Sequence, residues 1–143
     1  AHRESIPHGI RVIDWLHSFD PSASQEELRG LLGQMLFSGD DALKQTHTLS
    51  GGEVARIVFC LLMLQKPNVL ILDEPTNHLD LESINALNIA LQRYPGTLLL
   101  VTHDHDVIDE VATRIWNINH DRIEDFTGTY AQFLSRSEQL VSA

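Results

Sequence analysis

Chemically useful side chains follow two short apolar runs of this 143-residue sequence. Asp73 and Glu74 come directly after the run 69–72, and His103 comes shortly after the run 98–101. A carboxylate at the end of a buried strand suits Mg²⁺, which prefers oxygen ligands and keeps part of its water. Asp73 could order a metal-bound water, Glu74 could accept a proton from an attacking water, and His103 could donate a hydrogen bond to a terminal phosphate. Alternatively, the acids simply close a strand, and the histidine is a capping or core residue.

The segment Ser50-Gly51-Gly52-Glu53 predicts an anion contact at the start of a helix. Ser50 and Glu53 have the spacing of a capping box, which is a sufficient structural reason for both. The glycines need another reason, because each costs up to about 1 kcal/mol relative to alanine in a helix. Bare N–H groups at a helix N-terminus attract anions. Since no Gly-Lys pair occurs in the chain, this helix end could supply only part of a phosphate site.

The segment HDHD at residues 103–106 permits another interpretation, a zinc site, because two histidines and an aspartate can bind zinc. Position 108 is Ile where a further histidine would help, and no cluster of Cys or His supplies the remaining ligands. His78 and His105 could complete such a site only in a fold that the pattern does not indicate. A metallohydrolase is therefore the weaker alternative.

Composition narrows the class of protein. Ten basic and twenty acidic residues give a formal net charge of −10, which argues against a broad nucleic-acid-binding surface. The single cysteine, Cys60, lies in an apolar run and is expected to be a core residue in a reducing compartment. That run is far shorter than the roughly 20 residues that span a bilayer. These features predict a soluble, cytoplasmic protein with no membrane segment.

The periodicity of apolar residues predicts an α/β fold. A helical first third precedes apolar strands that alternate with helices, which is typical of parallel strands buried on both faces. In such sheets ligands bind beyond the carboxyl ends of the strands. The predicted elements are helices at 10–19, 25–36, 51–64, 81–93 and 130–140, strands at 69–72 and 98–101, and a strand pair at 115–118 and 122–126 with a turn at His120 and Asp121.

Four segments resemble, in order and spacing, the motifs of an ATP-binding cassette. LSGGEVAR (49–56) resembles the signature, VLILDEP (69–75) the Walker B strand, TNHLD (76–80) the D-loop, and VTHD (101–104) the His-switch. Within that superfamily the chain resembles the ABC-F proteins, which are soluble twin-cassette ATPases that act on ribosomes. The indications are Glu53, where transporters usually carry Gln, and the segments PTNHLDLESI (75–84) and DFTGTYAQFL (125–134).

The resemblance implies catalytic roles for three residues. Asp73 corresponds to the aspartate that orders Mg²⁺, Glu74 to the catalytic base, and His103 to the histidine that senses the γ-phosphate. ATP and Mg²⁺ are the implied cofactors.

The same resemblance implies an interface with a second cassette. Asp80 corresponds to the D-loop aspartate that bridges two cassettes. The signature contacts ATP that the opposite cassette holds, and its residues here are Ser50, Gly51, Gly52 and Glu53.

A cassette also has an adenine-stacking aromatic, a Walker A phosphate loop and a Q-loop before its helical subdomain, and no segment here matches them. The chain thus resembles the C-terminal part of one cassette, with a helical signature subdomain at 1–64 and part of the ATPase core at 65–143. We expect the isolated chain to be hydrolytically inactive, with a second cassette and the ribosome as partners of the longer parent protein. The alternatives are a non-catalytic half-cassette module and a nucleotide-binding subunit of a transporter.

Overall fold

The computed structural model describes residues 6–119 and 122–141. The chain divides into two compact units, Ala1–Leu100 and Val101–Ala143. The sequence predicts another division, between a helical signature subdomain at 1–64 and part of the ATPase core at 65–143. That division follows from the resemblance and not from contacts, and it stays a prediction. In the described residues, each helix is either too short or too polar to cross a bilayer.

The first unit is built mainly from helices at the predicted places. Leu28, Leu32 and Met35 are buried, as the apolar spacing of the second helix predicts. After that helix the chain forms a short 3-10 helix, Gly39–Leu43. The helices of this unit are α1 (Val12–His17), α2 (Gln25–Gln34), α3 (Gly51–Gln65) and α4 (Leu81–Gln92), with a second 3-10 helix at Thr46–Thr48.

Side-chain caps set the starts of α2, α3 and α4. At α2 the Ser24 hydroxyl accepts the Glu27 N–H over 3.1 Å, and a Glu27 carboxylate oxygen accepts the Ser24 N–H over 2.9 Å. These two bonds form a capping box, in which two backbone donors are satisfied reciprocally. Helix α3 ends where Lys66 adopts a left-handed conformation (φ 46°) before Pro67, which cannot continue the helix.

Cys60 is a core residue, as predicted. Its side chain is fully buried on α3, and its thiol lies 3.6 Å from the Leu31 carbonyl oxygen of α2. Burial raises the pKa of the Cys60 thiol to about 12, so the reactive thiolate form is scarce at neutral pH. The residue therefore serves packing between α2 and α3.

A two-stranded sheet follows α3, with β1 (Val69–Asp73) beside β2 (Thr97–Val101). Helix α4 connects the strands, and a helical crossover of this kind joins parallel strands. The prediction that both faces are buried is wrong for β1, because Leu70 and Leu72 are buried while Val69 and Ile71 are 57% and 65% exposed. Successive side chains of a strand point to opposite faces, and the described elements of this unit cover only one of them.

The second unit contains a helix, a strand hairpin and a terminal helix. Its elements are α5 (His105–Val111), β3 (Arg114–Asn119), β4 (Arg122–Thr127) and α6 (Tyr130–Val141). Strands β3 and β4 are antiparallel, with Ile118 opposite Ile123 and Arg114 opposite Thr127, which confirms the predicted strand pair. The predicted turn at His120 and Asp121 lies outside the described residues. On one face of the hairpin the Phe126 ring packs edge-on against Phe133 of α6, with centroids 5.7 Å apart.

Candidate nucleotide site

The N-terminus of α3 is organised by Ser50 and Glu53. The Ser50 hydroxyl accepts the Glu53 N–H over 3.2 Å, and a Glu53 carboxylate oxygen accepts the Ser50 N–H over 2.8 Å. The capping box predicted for this segment is therefore present. It satisfies the N–H groups of Ser50 and Glu53, and it leaves those of the two residues between them at the open end of the helix.

Gly51 and Gly52 have no packing reason within the described part of the chain. A Cβ added at Gly51 would meet no atom within 4 Å, and one at Gly52 would meet only the His78 carbonyl oxygen at 3.9 Å, an ordinary contact. Both glycines lie in the first turn of α3, where alanine would favour the helix by up to about 1 kcal/mol per residue. The two glycines thus improve neither the packing nor the helix stability of the chain. They do leave the backbone N–H groups accessible to a ligand that approaches the helix end.

Lys44 is a residue of this region that the sequence reasoning missed. Its ammonium nitrogen lies 3.0 Å from one Glu53 carboxylate oxygen and 2.8 Å from a carboxylate oxygen of Asp41. Burial acts to raise the pKa of Glu53, but hydrogen bonds from the Ser50 N–H and from Lys44 outweigh it, so the pKa lies below its usual value. Hydrogen bonds to Asp41 and Glu53 raise the pKa of Lys44. Lys44 and Glu53 are nine residues apart, which matches no helix or strand period. The pair could therefore not be predicted from the sequence and is seen only in the tertiary structure.

The end of β1 carries Asp73 and Glu74 in different settings. Asp73 is the exposed last residue of the strand, and Glu74 is half-buried. Glu74 adopts a left-handed conformation (φ 45°), which is uncommon for a residue with a side chain and is disfavoured further by the following Pro75. The Asn77 N–H donates to the Glu74 carbonyl oxygen over 3.2 Å and closes the turn. Left-handed backbone outside glycine concentrates at functional sites.

Asp80 has a local structural role in addition to the predicted one. It precedes α4, and its carboxylate accepts the Ser83 N–H over 2.8 Å, which makes it the N-cap of that helix. Hydrogen bonds from Ser83 lower the pKa of Asp80. The same turn brings His78 next to Gly52, so the TNHLD segment and the start of α3 are neighbours within the first unit.

His103 lies in the second unit, two residues beyond the end of β2, and its side chain is exposed. The neighbouring backbone is held by Asp104, whose N–H donates to the Thr102 hydroxyl over 3.0 Å. The Asp104 carboxylate accepts the Asp106 N–H over 3.1 Å and so caps α5. The role predicted for His103, a hydrogen bond to a terminal phosphate, stays a prediction.

The acidic residues fit one kind of metal site better than another. In the described ranges, no group of three or more His, Cys, Asp and Glu side chains could hold a metal ion by itself. Mg²⁺ in nucleotide enzymes commonly uses one or two carboxylates together with substrate phosphates. Asp73, a single exposed carboxylate at a strand end, suits that arrangement.

Comparison with known proteins identifies relatives of this chain. The family model described as "ABC transporter" matches residues 4–77. "Probable ATP-binding protein YbiT" of Escherichia coli O157:H7 is 46% identical over 134 residues, which cover 93% of this chain and 25% of that relative. "Uncharacterized ABC transporter ATP-binding protein YkpA" of Bacillus subtilis (strain 168) is 45% identical and covers 90% of this chain and 24% of its own length. "Protein GCN20" of Saccharomyces cerevisiae is 38% identical over 128 residues, which cover 90% of this chain and 17% of that relative.

The α/β architecture with a parallel sheet is that of a partial P-loop NTPase. The chain belongs to the ATP-binding cassette family, whose members are ATPases, and its relatives place it among the ABC-F proteins. The predicted family and fold class are therefore confirmed. The chain spans a quarter or less of the length of each of these three relatives.

Proposed function

We propose that this chain is the C-terminal part of one cassette of an ABC-F ATPase. In this proposal the parent protein acts in the cytoplasm, where it couples binding and hydrolysis of ATP to a conformational change on the ribosome. The observation that carries the proposal is the open N-terminus of α3, where no packing contact with the described residues accounts for Gly51 and Gly52. A helix end of this kind suits a phosphate.

The start of α3 would contact ATP held by a second cassette. The Ser50 hydroxyl accepts the Glu53 N–H and is also hydrogen-bonded to the Glu53 carboxylate, so its hydrogen would have to turn away from that carboxylate to donate to a phosphate oxygen. The N–H groups of Gly51 and Gly52 add two further donors, and the helix dipole favours the negative charge. Asp80 would lie at the same interface, and its capping bond to Ser83 holds it in place.

The hydrolytic step would use the end of β1 and the His-switch segment. Glu74 accepts a proton from the attacking water, and its left-handed backbone supports a role beyond closing the strand. His103 donates a hydrogen bond to the γ-phosphate. Mg²⁺, held by Asp73, would neutralise the charge that develops on the phosphate oxygens.

Replacement of Glu74 by Gln in the full-length parent protein tests this proposal. Gln keeps the size of the side chain but cannot accept the proton, so ATP hydrolysis falls by about 10²-fold or more while ATP stays bound. Glu82→Gln is the matched control, because Glu82 is an exposed acid in the first turn of α4. It should leave turnover within twofold of the unsubstituted protein. Unchanged hydrolysis in Glu74→Gln would remove Glu74 from the role of base.

The ribosomal part of the proposal has its own readout. The Glu74→Gln protein, which retains ATP, should sediment with ribosomes when ATP is added and not when ADP is added. A Glu74→Gln protein that traps ATP but never sediments with ribosomes would contradict the ribosomal role and leave the ATPase role intact.

A further inference from the structure

We propose that Lys44 is a positioning residue for the nucleotide contact at the start of α3. It holds the Glu53 carboxylate in the capping box and offsets its negative charge beside the place where a polyphosphate would approach. The inference rests on the proposed function of Ser50, Gly51 and Gly52.

The backbone of Lys44 is fixed by contacts with α1. The Val12 N–H donates to the Lys44 carbonyl oxygen over 3.0 Å, and the Lys44 N–H donates to the Asp41 carbonyl oxygen over 3.1 Å. An isolated bridge pairs Arg11 with Gln45, next to both of these residues. Lys44 therefore stands on a strand-like segment that is tied to the start of α1, and its side chain reaches α3 from a held position.

The two oxygens of the Glu53 carboxylate have separate partners. One accepts the Ser50 N–H over 2.8 Å, and the other lies 3.0 Å from the Lys44 ammonium nitrogen. The Glu53 side chain is only 17% exposed, compared with 43% for Lys44. The ion pair thus holds a largely covered carboxylate in the orientation that the capping box requires.

The charge of Glu53 matters because of where it lies. The carboxylate belongs to the first turn of α3, within a few residues of the Gly51 and Gly52 N–H groups. Without a partner cation it would repel a polyphosphate at the same helix end and cancel part of the attraction of the dipole. Arg56, a cation on α3 itself, donates a hydrogen bond to the Met35 carbonyl oxygen instead. Lys44 is the cation that pairs with Glu53 among the described side chains.

The Lys44 end of this ion pair is 43% exposed, and water screens such a pair so that it contributes little to folding stability. Its loss should therefore act mainly on the affinity for nucleotide. In the full-length parent protein, Lys44→Met is expected to raise the KM for MgATP about tenfold, with a smaller change in kcat. Lys44→Arg, which keeps the charge, should restore the KM to within twofold. Lys66→Met is the matched control, since it removes the other lysine of this chain at the opposite end of α3, and it should not change the KM.

A double replacement separates positioning from a general structural role. In a Glu53→Gln background, adding Lys44→Met should change the KM less than twofold, because the carboxylate in the first turn of α3 is already gone and Asp41, the other partner of Lys44, lies outside α3. A merely structural lysine would give the same loss in both backgrounds, and that result, or an unchanged KM in Lys44→Met, would overturn the inference. Glu74→Gln is assayed in parallel. If it abolishes hydrolysis while Lys44→Met has no effect, the inference fails and the proposed function stands; if Glu74→Gln has no effect either, the proposed catalytic function fails.

Discussion

The Arg56 guanidinium donates a hydrogen bond to the Met35 carbonyl oxygen over 3.1 Å and so joins the middle of α3 to the end of α2. A second, longer contact of 3.4 Å reaches the Leu36 carbonyl oxygen. These carbonyl groups lie where α2 ends and Leu36 turns left-handed (φ 64°), so the helix itself no longer supplies their partners. The guanidinium carbon also lies 4.9 Å from the centre of the Phe37 ring. One cation therefore closes α2 and ties it to α3.

Arg56→Met should loosen this junction. Hydrogen bonds from a charged donor contribute about 1.5–3 kcal/mol, which corresponds to roughly 10- to 150-fold faster local opening. We expect hydrogen–deuterium exchange of peptides covering residues 31–38 to accelerate accordingly in the full-length parent protein. Arg29→Met is the control, because Arg29 is exposed and makes a single 3.4 Å contact with the Gly39 carbonyl oxygen. Equal acceleration in both variants would contradict a special role for Arg56.

Gly51→Ala and Gly30→Ala should differ in their effects on function. Neither Cβ would meet an atom within 4 Å, and both positions lie in helices. Each alanine should favour its helix by up to about 1 kcal/mol, seen as slower hydrogen exchange. Gly51→Ala should nevertheless lower ATP turnover by about tenfold or more, because the methyl group stands where a phosphate would approach. Gly30→Ala should leave turnover unchanged, and similar turnover in both would argue against a ligand at α3.

The capping box of α2 should make that helix sensitive to acid. Hydrogen bonds from the Ser24 N–H and hydroxyl lower the pKa of Glu27 below its usual value near 4.5. Its stabilisation is therefore present above that value and is lost as the pH falls through the lower pKa of the folded state. Protection factors of Gln25–Gln34, corrected for intrinsic exchange, should fall about threefold on acidification.

Glu27→Gln should remove this pH dependence and lower the protection at neutral pH. Glu26→Gln is the control in the same turn, because the box uses Glu27 and not Glu26. Protection that falls equally with pH in Glu27→Gln and in the unsubstituted protein would assign the acid sensitivity to other groups.

Much of the secondary structure could be predicted because its causes are local. The capping boxes at Ser24 and Ser50 follow from residues three apart, and the helices and strands appear close to the predicted bounds. The exposed face of β1 could not be predicted, since apolar residues such as Val69 and Ile71 show that a face can be covered and not whether an element of the unit covers it. The predicted short helix around Ile13 and Leu16 is present, but Phe19 at its end is exposed.

The candidate site divides in the same way. Residue type, spacing and resemblance predicted the candidate residues Ser50, Gly51, Gly52, Asp73, Glu74, Asp80 and His103. The left-handed backbone of Glu74 and the capping bond from Asp80 to α4 were not predicted, because both depend on the turn that follows β1. In the part of the chain that the structure describes, no contact requires a glycine at position 51 or 52. This absence is an argument for a ligand at the start of α3.

The sequence by itself determined the family, the α/β class and the helix starts, because motif order, apolar periodicity and capping are properties of residues close in the chain. Only the tertiary structure decided that Lys44 pairs with Glu53, that Arg56 closes α2, and that His78 lies beside Gly52. These contacts join residues with no periodic relation in sequence. They form when the chain packs its buried apolar faces together, and the polar partners then meet where that packing leaves them.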